Sequence, residues 1–372
     1  MTTTPDPFTY DALPGRVVFA PNAARDRLAG VLDDLGARRV LAIFGEPERP
    51  LAEPLCAPLG DRVAGVFTEV RPHVPVEVAQ RARAAAREAA ADALLCIGGG
   101  STTGTAKAVA LESRLPIVAV PTTYAGSEVT PVWGMTEGRR KTTGIDAAVL
   151  PRVVVYDPVL TVGLPASITG PSAMNAVAHC VEAFYAPRAN PVCSLMAEEG
   201  IRALAAGAPA AVERGDDLDA RSLTLYGAYL AGAAFASAGS GLHHKVCHAL
   251  GGAFDLPHAE MHTIVLPYVM AFNEPAIPGI ARRVAAALGP WGTDGAASGL
   301  QRLGRAVGAP HGLHDIGLRD EDFDEAVAVV AEKIPADNPR PVSADDVRRI
   351  LDGARRGAAV AARASNGVSA TR

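Results

Sequence analysis

Five of the chain's nine histidines fall in one stretch, GLHHKVCHALGGAFDLPHAEMH, residues 241–262: His243, His244, His248, His258 and His262. Near neutral pH an imidazole can ligate a transition metal, pass a proton, or donate a hydrogen bond to developing negative charge. Spacing narrows the geometry. His244 and His248 are four apart and share a helical face, with His243 turned about 100° away. Upstream, in SAMNAVAHCVEA, Asn175 and His179 repeat the four-residue spacing. The segment GGAFDLP contains Gly and Pro and can fold His258 back toward the helix before it. If these helices pack together, Asn175, His179, His244 and His258 converge. One histidine alone is most simply a polar helix residue; five in one short stretch mark a site. Three imidazoles bind zinc or iron well. The fourth member, however, is an amide, which brings no charge to neutralise a divalent cation. A site of three His and one Asn is therefore a weaker trap for a metal than one containing a carboxylate.

The elements that must position these residues divide into two textures. RVVFA, RRVLAIFG, ALLCIGGG and PIVAVPTT read as short apolar strands. Between them lie the helical patterns ARDRLAGVLDDLG, closed by Gly36, then EVAQRARAAAREAAAD and GTAKAVALES. Continuous apolar strands separated by helices predict a parallel sheet covered on both faces. TTGIDAAVLPRVVVYDP adds one or two extended pieces. Beyond DPVLTVGLP, Ala-rich helical patterns run to the end. The fold class is thus an α/β domain with a parallel sheet followed by an all-α domain. The boundary lies near residue 160: residues 1–160 bind nucleotide, and residues 161–372 form the helical catalytic or substrate domain.

Within the first domain, LLCIGGGSTTGTAK runs from a strand through Gly98, Gly99 and Gly100 into a helix. Such a turn lets a pyrophosphate approach the backbone, the free N–H groups and the positive end of the helix dipole, with Ser101 and Thr102 adding hydroxyls. It is not the G-x-G-x-x-G fingerprint, so a purely structural turn is the competing reading. A second strand end, PTTYAGSE, should emerge on the same edge and offers Thr122, Thr123 and Ser127. A third offers Glu46, placed to bind a ribose hydroxyl and to repel a 2′-phosphate, which favours NAD over NADP. An ordinary exposed loop acid is the alternative for Glu46.

Composition excludes other classes. The 372 residues are 49% hydrophobic and 20% charged, which suits a compact protein rather than a disordered one. A net charge of -5 offers no footprint for nucleic acid or an acidic membrane. Five scattered cysteines without a CxxC fit reduced thiols. The first residues lack the pattern of a signal peptide, and no apolar run reaches the roughly 20 residues that span a bilayer. The expected location is the cytoplasm.

GGGSTTGTAKA, PTTYAGSEVTPVWGMTEGRRKTTG, VVVYDPVLTVGLP, MNAVAHCVEAFYAP and the histidine stretch together resemble the group III iron-containing alcohol dehydrogenases, whose fold is like that of dehydroquinate synthase. Within that family the chain most closely resembles the maleylacetate reductases. The resemblance implies an active site in the cleft between the two domains, NADH or NADPH as cofactor, a small dicarboxylate substrate and a homodimer. It also places Lys141 near the cofactor. Metal-dependent relatives use one Asp and three His, which fall here on Asn175, His179, His244 and His258. The Asp is missing, and Gly104 stands where the family turn commonly has Asp, so the resemblance implies a site that descends from a metal centre and is expected to hold no metal; if one is held, those four residues are its ligands.

Maleylacetate carries a C=C bond conjugated to a ketone, so hydride addition to the β carbon builds an enolate. Imidazoles can stabilise that charge and supply a proton. The expected catalytic pair is His244 and His248, with His179 and His258 shaping and polarising the site. His243 and Lys245 are candidates for a substrate carboxylate. His73, His311 and His314 read as surface or structural residues. Competing readings are a metal-dependent alcohol dehydrogenase, a reductase of another unsaturated keto acid, and a silent homologue that keeps the fold for binding.

Overall fold

The computed structural model of the chain describes residues 7–138 and 140–360, apart from the side chains of Arg140 and Lys141. Its first half contains strands β1 (Arg16–Phe19), β2 (Val40–Ile43), β3 (Val63–Phe67), β4 (Ala93–Gly98), β5 (Ile117–Pro121), β6 (Val132–Glu137), β7 (Arg140–Ile145) and β8 (Val153–Tyr156). Helices α1 (Ala23–Asp34), α2 (Arg49–Cys56), α3 (Val76–Glu88) and α4 (Gly100–Ser113) alternate with them. Six strands form one parallel sheet in the order β1-β8-β5-β4-β2-β3. The apolar runs are continuous because both faces are covered. In β2, Val40 and Ala42 pack with Leu28 and Leu32 of α1, whereas Leu41 and Ile43 join Ala82 and Val109 on the other face.

Two features go beyond the sequence expectation. VAGVF forms edge strand β3, which is partly exposed and paired on one side to β2. PVWGMTEGRRKTTG folds as an antiparallel hairpin, β6 with β7, running from Val132↔Ile145 to Glu137↔Arg140 and standing apart from the main sheet.

The second half is helical: α5 (Ala166–Ala183), α6 (Pro191–Glu213), α7 (Leu218–Ala238), α8 (Leu242–Phe254), α9 (His258–Asn273), α10 (Pro278–Ala287), α11 (Ala296–Ala306), α12 (Phe323–Ala331) and α13 (Ala344–Arg356). Helix α5 is buried without interruption from Thr169 to Ala183 and packs against α6, α7 and α9. A helix covered on every side must satisfy its polar residues internally. Asn175, His179 and Glu182 all lie on this one. No helix among the described residues is long and apolar enough to cross a membrane.

Candidate active site

The nucleotide edge comes first. Because β4 and β5 are parallel neighbours, with Gly98 opposite Pro121, the glycine turn and the PTTYAGSE loop leave the sheet together. Gly98 has φ +153, and a Cβ there would lie 2.9 Å from Thr102 Cβ. Helix α4 begins at Gly100 with no side chain capping it, so its first N–H groups are left for a ligand. Ser101 and Thr123 are half-buried and accessible from this edge, whereas the Thr102 side chain is buried beneath Gly98. Thr122 is buried as well, its N–H bonded to the Gly98 carbonyl at 3.2 Å. Gly98→Ala should therefore weaken NADH binding by about tenfold or more, measured by fluorescence titration, since the Cβ displaces the turn that carries the phosphate donors. Unchanged affinity would separate the turn from the cofactor.

Glu46 stands at the end of β2 as expected, but its carboxylate is held by Arg49 at 2.7 and 2.8 Å. That guanidinium keeps the Glu46 carboxyl down at about 2. The same guanidinium places a positive charge beside the carboxylate on which the expected preference for NAD rests. The expected role of Lys141 falls on a side chain outside the described residues.

The loop after β5 leads to the histidines. Gly126, with φ +75, packs so closely that a Cβ would sit 3.3 Å from Gly232 Cα of α7 and 3.5 Å from His179 Nδ1. His179 stacks on His244, ring centroids 5.1 Å apart, and Phe235 of α7 lies within 4.6 Å of both rings. His244 is 5.9 Å from His248, and His248 is 6.4 Å from His258. The turn GGAFDLP does bring His258 back: Asp255 adopts φ +51 and α9 starts at His258. The fold thus brings together His179, His244, His248 and His258 on three helices, with Asn175 one turn before His179 on α5.

Burial sorts them. His248 and His258 are exposed and line a cleft of about 920 Å³ between the hairpin and α8. His179 and His244 lie deeper and are buried, His244 5.9 Å from His248, and neither is among the residues that line the cleft. Burial pushes His179 down to about 4 and His244 well below the ordinary histidine range, so both are neutral imidazoles at pH 7. The Oδ1 of Asn175, Nδ1 of His179 and Nε2 of His244 are buried without a hydrogen-bond partner. An amide can present either its oxygen or its nitrogen to the same point. Unsatisfied buried groups are costly, and these three atoms are open to a hydrogen-bonding ligand.

Glu182 is the residue that sequence reasoning missed. It is fully buried, three residues after His179 and on the same helical face. Its Oε1 accepts the His243 N–H at 2.6 Å, and its Oε2 accepts the Gly241 N–H at 2.9 Å and meets His244 Nδ1 at 2.5 Å. One carboxyl group therefore caps the start of α8 and orients the His244 ring. Burial raises Glu182 to about 7 despite these backbone donors. With Glu182 protonated, its O–H faces Nδ1 and His244 Nε2 carries a hydrogen toward the site. We favour this arrangement because it leaves the buried pair without net charge.

Two expectations need correction. His243 does not reach a substrate: it is completely buried behind His244, its Nε2 2.9 Å from Nδ1 of the equally buried His262. The 100° turn along α8 points it inward, at α9. Lys245 is exposed and is not among the residues that line the cleft. Conversely, His73 is no bland surface residue. It lines the cleft with His248 and His258, from a segment in which His73 and Val74 both take positive φ and hold Thr136 of the hairpin.

Comparison with known proteins agrees with this geometry. Residues 14–158 match the model of the iron-containing alcohol dehydrogenases, and residues 169–355 match that of the C-terminal part of the Fe-containing alcohol dehydrogenase family. The chain is 46% identical to a maleylacetate reductase of Burkholderia cepacia over 93% of this chain and 97% of that one. It is 47% identical to maleylacetate reductase 2 of Cupriavidus pinatubonensis, over 94% and 97%. The crystal structure of maleylacetate reductase from Agrobacterium tumefaciens superposes with a TM-score of 0.91 at 42% identity, covering 95% of this chain and all of that one. Sheet, helical half and sequence together place the chain in the iron-containing alcohol dehydrogenase family, among the maleylacetate reductases.

Proposed function

We propose that this chain uses NAD(P)H to reduce the carbon–carbon double bond of maleylacetate, giving 3-oxoadipate. One observation carries the reading: the loop leaving the nucleotide edge lies against His179, so a nicotinamide bound there ends beside buried hydrogen-bond donors. Residues 1–160 hold the nucleotide and residues 161–372 the reacting groups. Hydride adds to the alkene carbon β to the ketone, and the π electrons move to the ketone oxygen as an enolate. A proton delivered to the α carbon restores the ketone, and NAD(P)⁺ leaves.

In this reading His244 Nε2–H, with Asn175 and His179 beside it, donates to the enolate oxygen from a site of low dielectric. His248, at the cleft surface, supplies the proton, and His258 holds the substrate against it. Either NADH or NADPH is accepted, since Arg49 accompanies Glu46. A cytoplasmic homodimer belongs to the same reading, and sedimentation of the purified enzyme measures the assembly.

These donors are a weaker trap for a resident divalent metal than a set with a carboxylate, because three neutral imidazoles and an amide offer no charge to the ion. Among the described residues, the histidine nitrogens within 4.8 Å of one another belong to His243, His244 and His262, and two of these are already joined to each other. Chelator-dialysed enzyme should therefore oxidise NADH with maleylacetate at an undiminished rate and ignore simple aldehydes. Turnover of aldehydes alone would overturn the substrate; loss of activity restored by iron or zinc would overturn the metal-free site.

A further inference from the structure

Lys107 lies inside α4 at 1% exposure, and nothing in the chemistry above employs it. Its Nζ meets four oxygens: Ser127 O at 2.6 Å, Thr130 O at 2.8 Å, Val132 O at 2.8 Å and Thr130 Oγ1 at 3.1 Å. The Thr130 hydroxyl gives its own hydrogen to Ser127 O at 3.2 Å and so turns a lone pair toward the amine. All four oxygens act as acceptors. An ammonium has only three hydrogens, so the cage is richer in oxygen than one lysine can use. Rings of carbonyls are also how proteins replace the water around a monovalent cation.

Burial pushes Lys107 down to about 7. The cage acts in the opposite direction, because a neutral amine would turn its lone pair on an oxygen. The buried Glu128, whose carboxylate accepts the Tyr156 hydroxyl at 2.7 Å, adds negative charge nearby. The charged form is therefore the one that fits.

Three of the four caging oxygens belong to the loop that follows β5 and the fourth to Val132, the first residue of β6; the same loop presents Gly126 to His179. Lys107 itself sits on the helix whose first turn is the glycine turn. We propose that Lys107 is a positioning residue whose ammonium stands in for a bound monovalent cation, locking the two cofactor-binding strand ends into one rigid unit. Emptying the cage should leave a site for potassium or ammonium ion. The inference rests on the nucleotide reading above.

The test is Lys107→Ala beside Lys107→Met, assayed in lithium, sodium, potassium and ammonium chlorides at constant ionic strength. In lithium, Lys107→Ala should raise KM for NADH by about tenfold or more, with a smaller change in kcat, because a displaced loop misplaces the nicotinamide. Potassium or ammonium should restore KM and raise Tm, and sodium should do so less. Lys107→Met fills the space without charge, so its raised KM should answer to no cation. If Lys107→Ala folds only with potassium or ammonium, the cage stands; if no cation restores its fold or its KM, the cage fails. A KM within twofold of wild type in lithium would also overturn it. The Tm response needs no substrate, so it remains readable even if wild type proves inactive on maleylacetate and the functional reading falls.

Discussion

Glu182→Gln should lower kcat for maleylacetate reduction by a factor of about 10³, with KM for NADH within about twofold of wild type. The carboxyl group touches neither cleft nor cofactor; it acts through His244. As charge builds on the enolate oxygen, the hydrogen bond from His244 Nε2–H strengthens and the ring takes on positive character, which Glu182 Oε2, 2.5 Å from Nδ1, is placed to stabilise. Glutamine can hold the ring, but its amide cannot supply that carboxyl group's charge stabilisation. Its two ends also differ, so one of the backbone N–H groups of Gly241 and His243 meets an NH₂ in place of an oxygen.

Glu182→Ala would confuse the issue, because it strands both backbone donors at the start of α8, at about 1–3 kcal/mol each. Tm and NADH affinity of the glutamine variant therefore have to accompany its rates. A folded Glu182→Gln enzyme with kcat within threefold of wild type would show that the carboxyl group only caps α8.

How much of this could be read beforehand follows from what each feature depends on. The strands β2, β4, β5 and β8 announce themselves because burial on both faces makes them wholly apolar. Strand β3 does not: VAGVF is an edge, partly exposed, with a glycine at its centre. The i, i+4 pairs placed His179, His244 and His248 because helical geometry is local. Glu182 shares the face of Asn175 and His179 and was visible in principle. It went unread because a glutamate within a helix is ordinarily a solvated residue, and only the burial of α5 on every side removes that option. The inward turn of His243 depends on where α9 lies, which no spacing encodes. The partner of Glu46, by contrast, was present three residues downstream in Arg49.

His248 and His243 provide the sharpest contrast within one helix. His248→Asn should reduce kcat by about 10²–10⁴-fold, the usual contribution of a positioned proton donor, while Tm stays within a few degrees. The side chain lines the cleft and is exposed, so an amide replaces it without opening the core. His243→Asn should do the reverse. It breaks a buried imidazole pair at 2.9 Å and leaves His262 Nδ1 without a partner, so Tm falls while kcat at low temperature is largely kept. Had His243 bound a substrate carboxylate, its loss would instead raise KM for maleylacetate with Tm unaffected. Measuring Tm, kcat and both KM values on the two variants separates these outcomes. Equal losses of kcat would mean that the proton reaches the substrate through the buried pair rather than from the cleft surface.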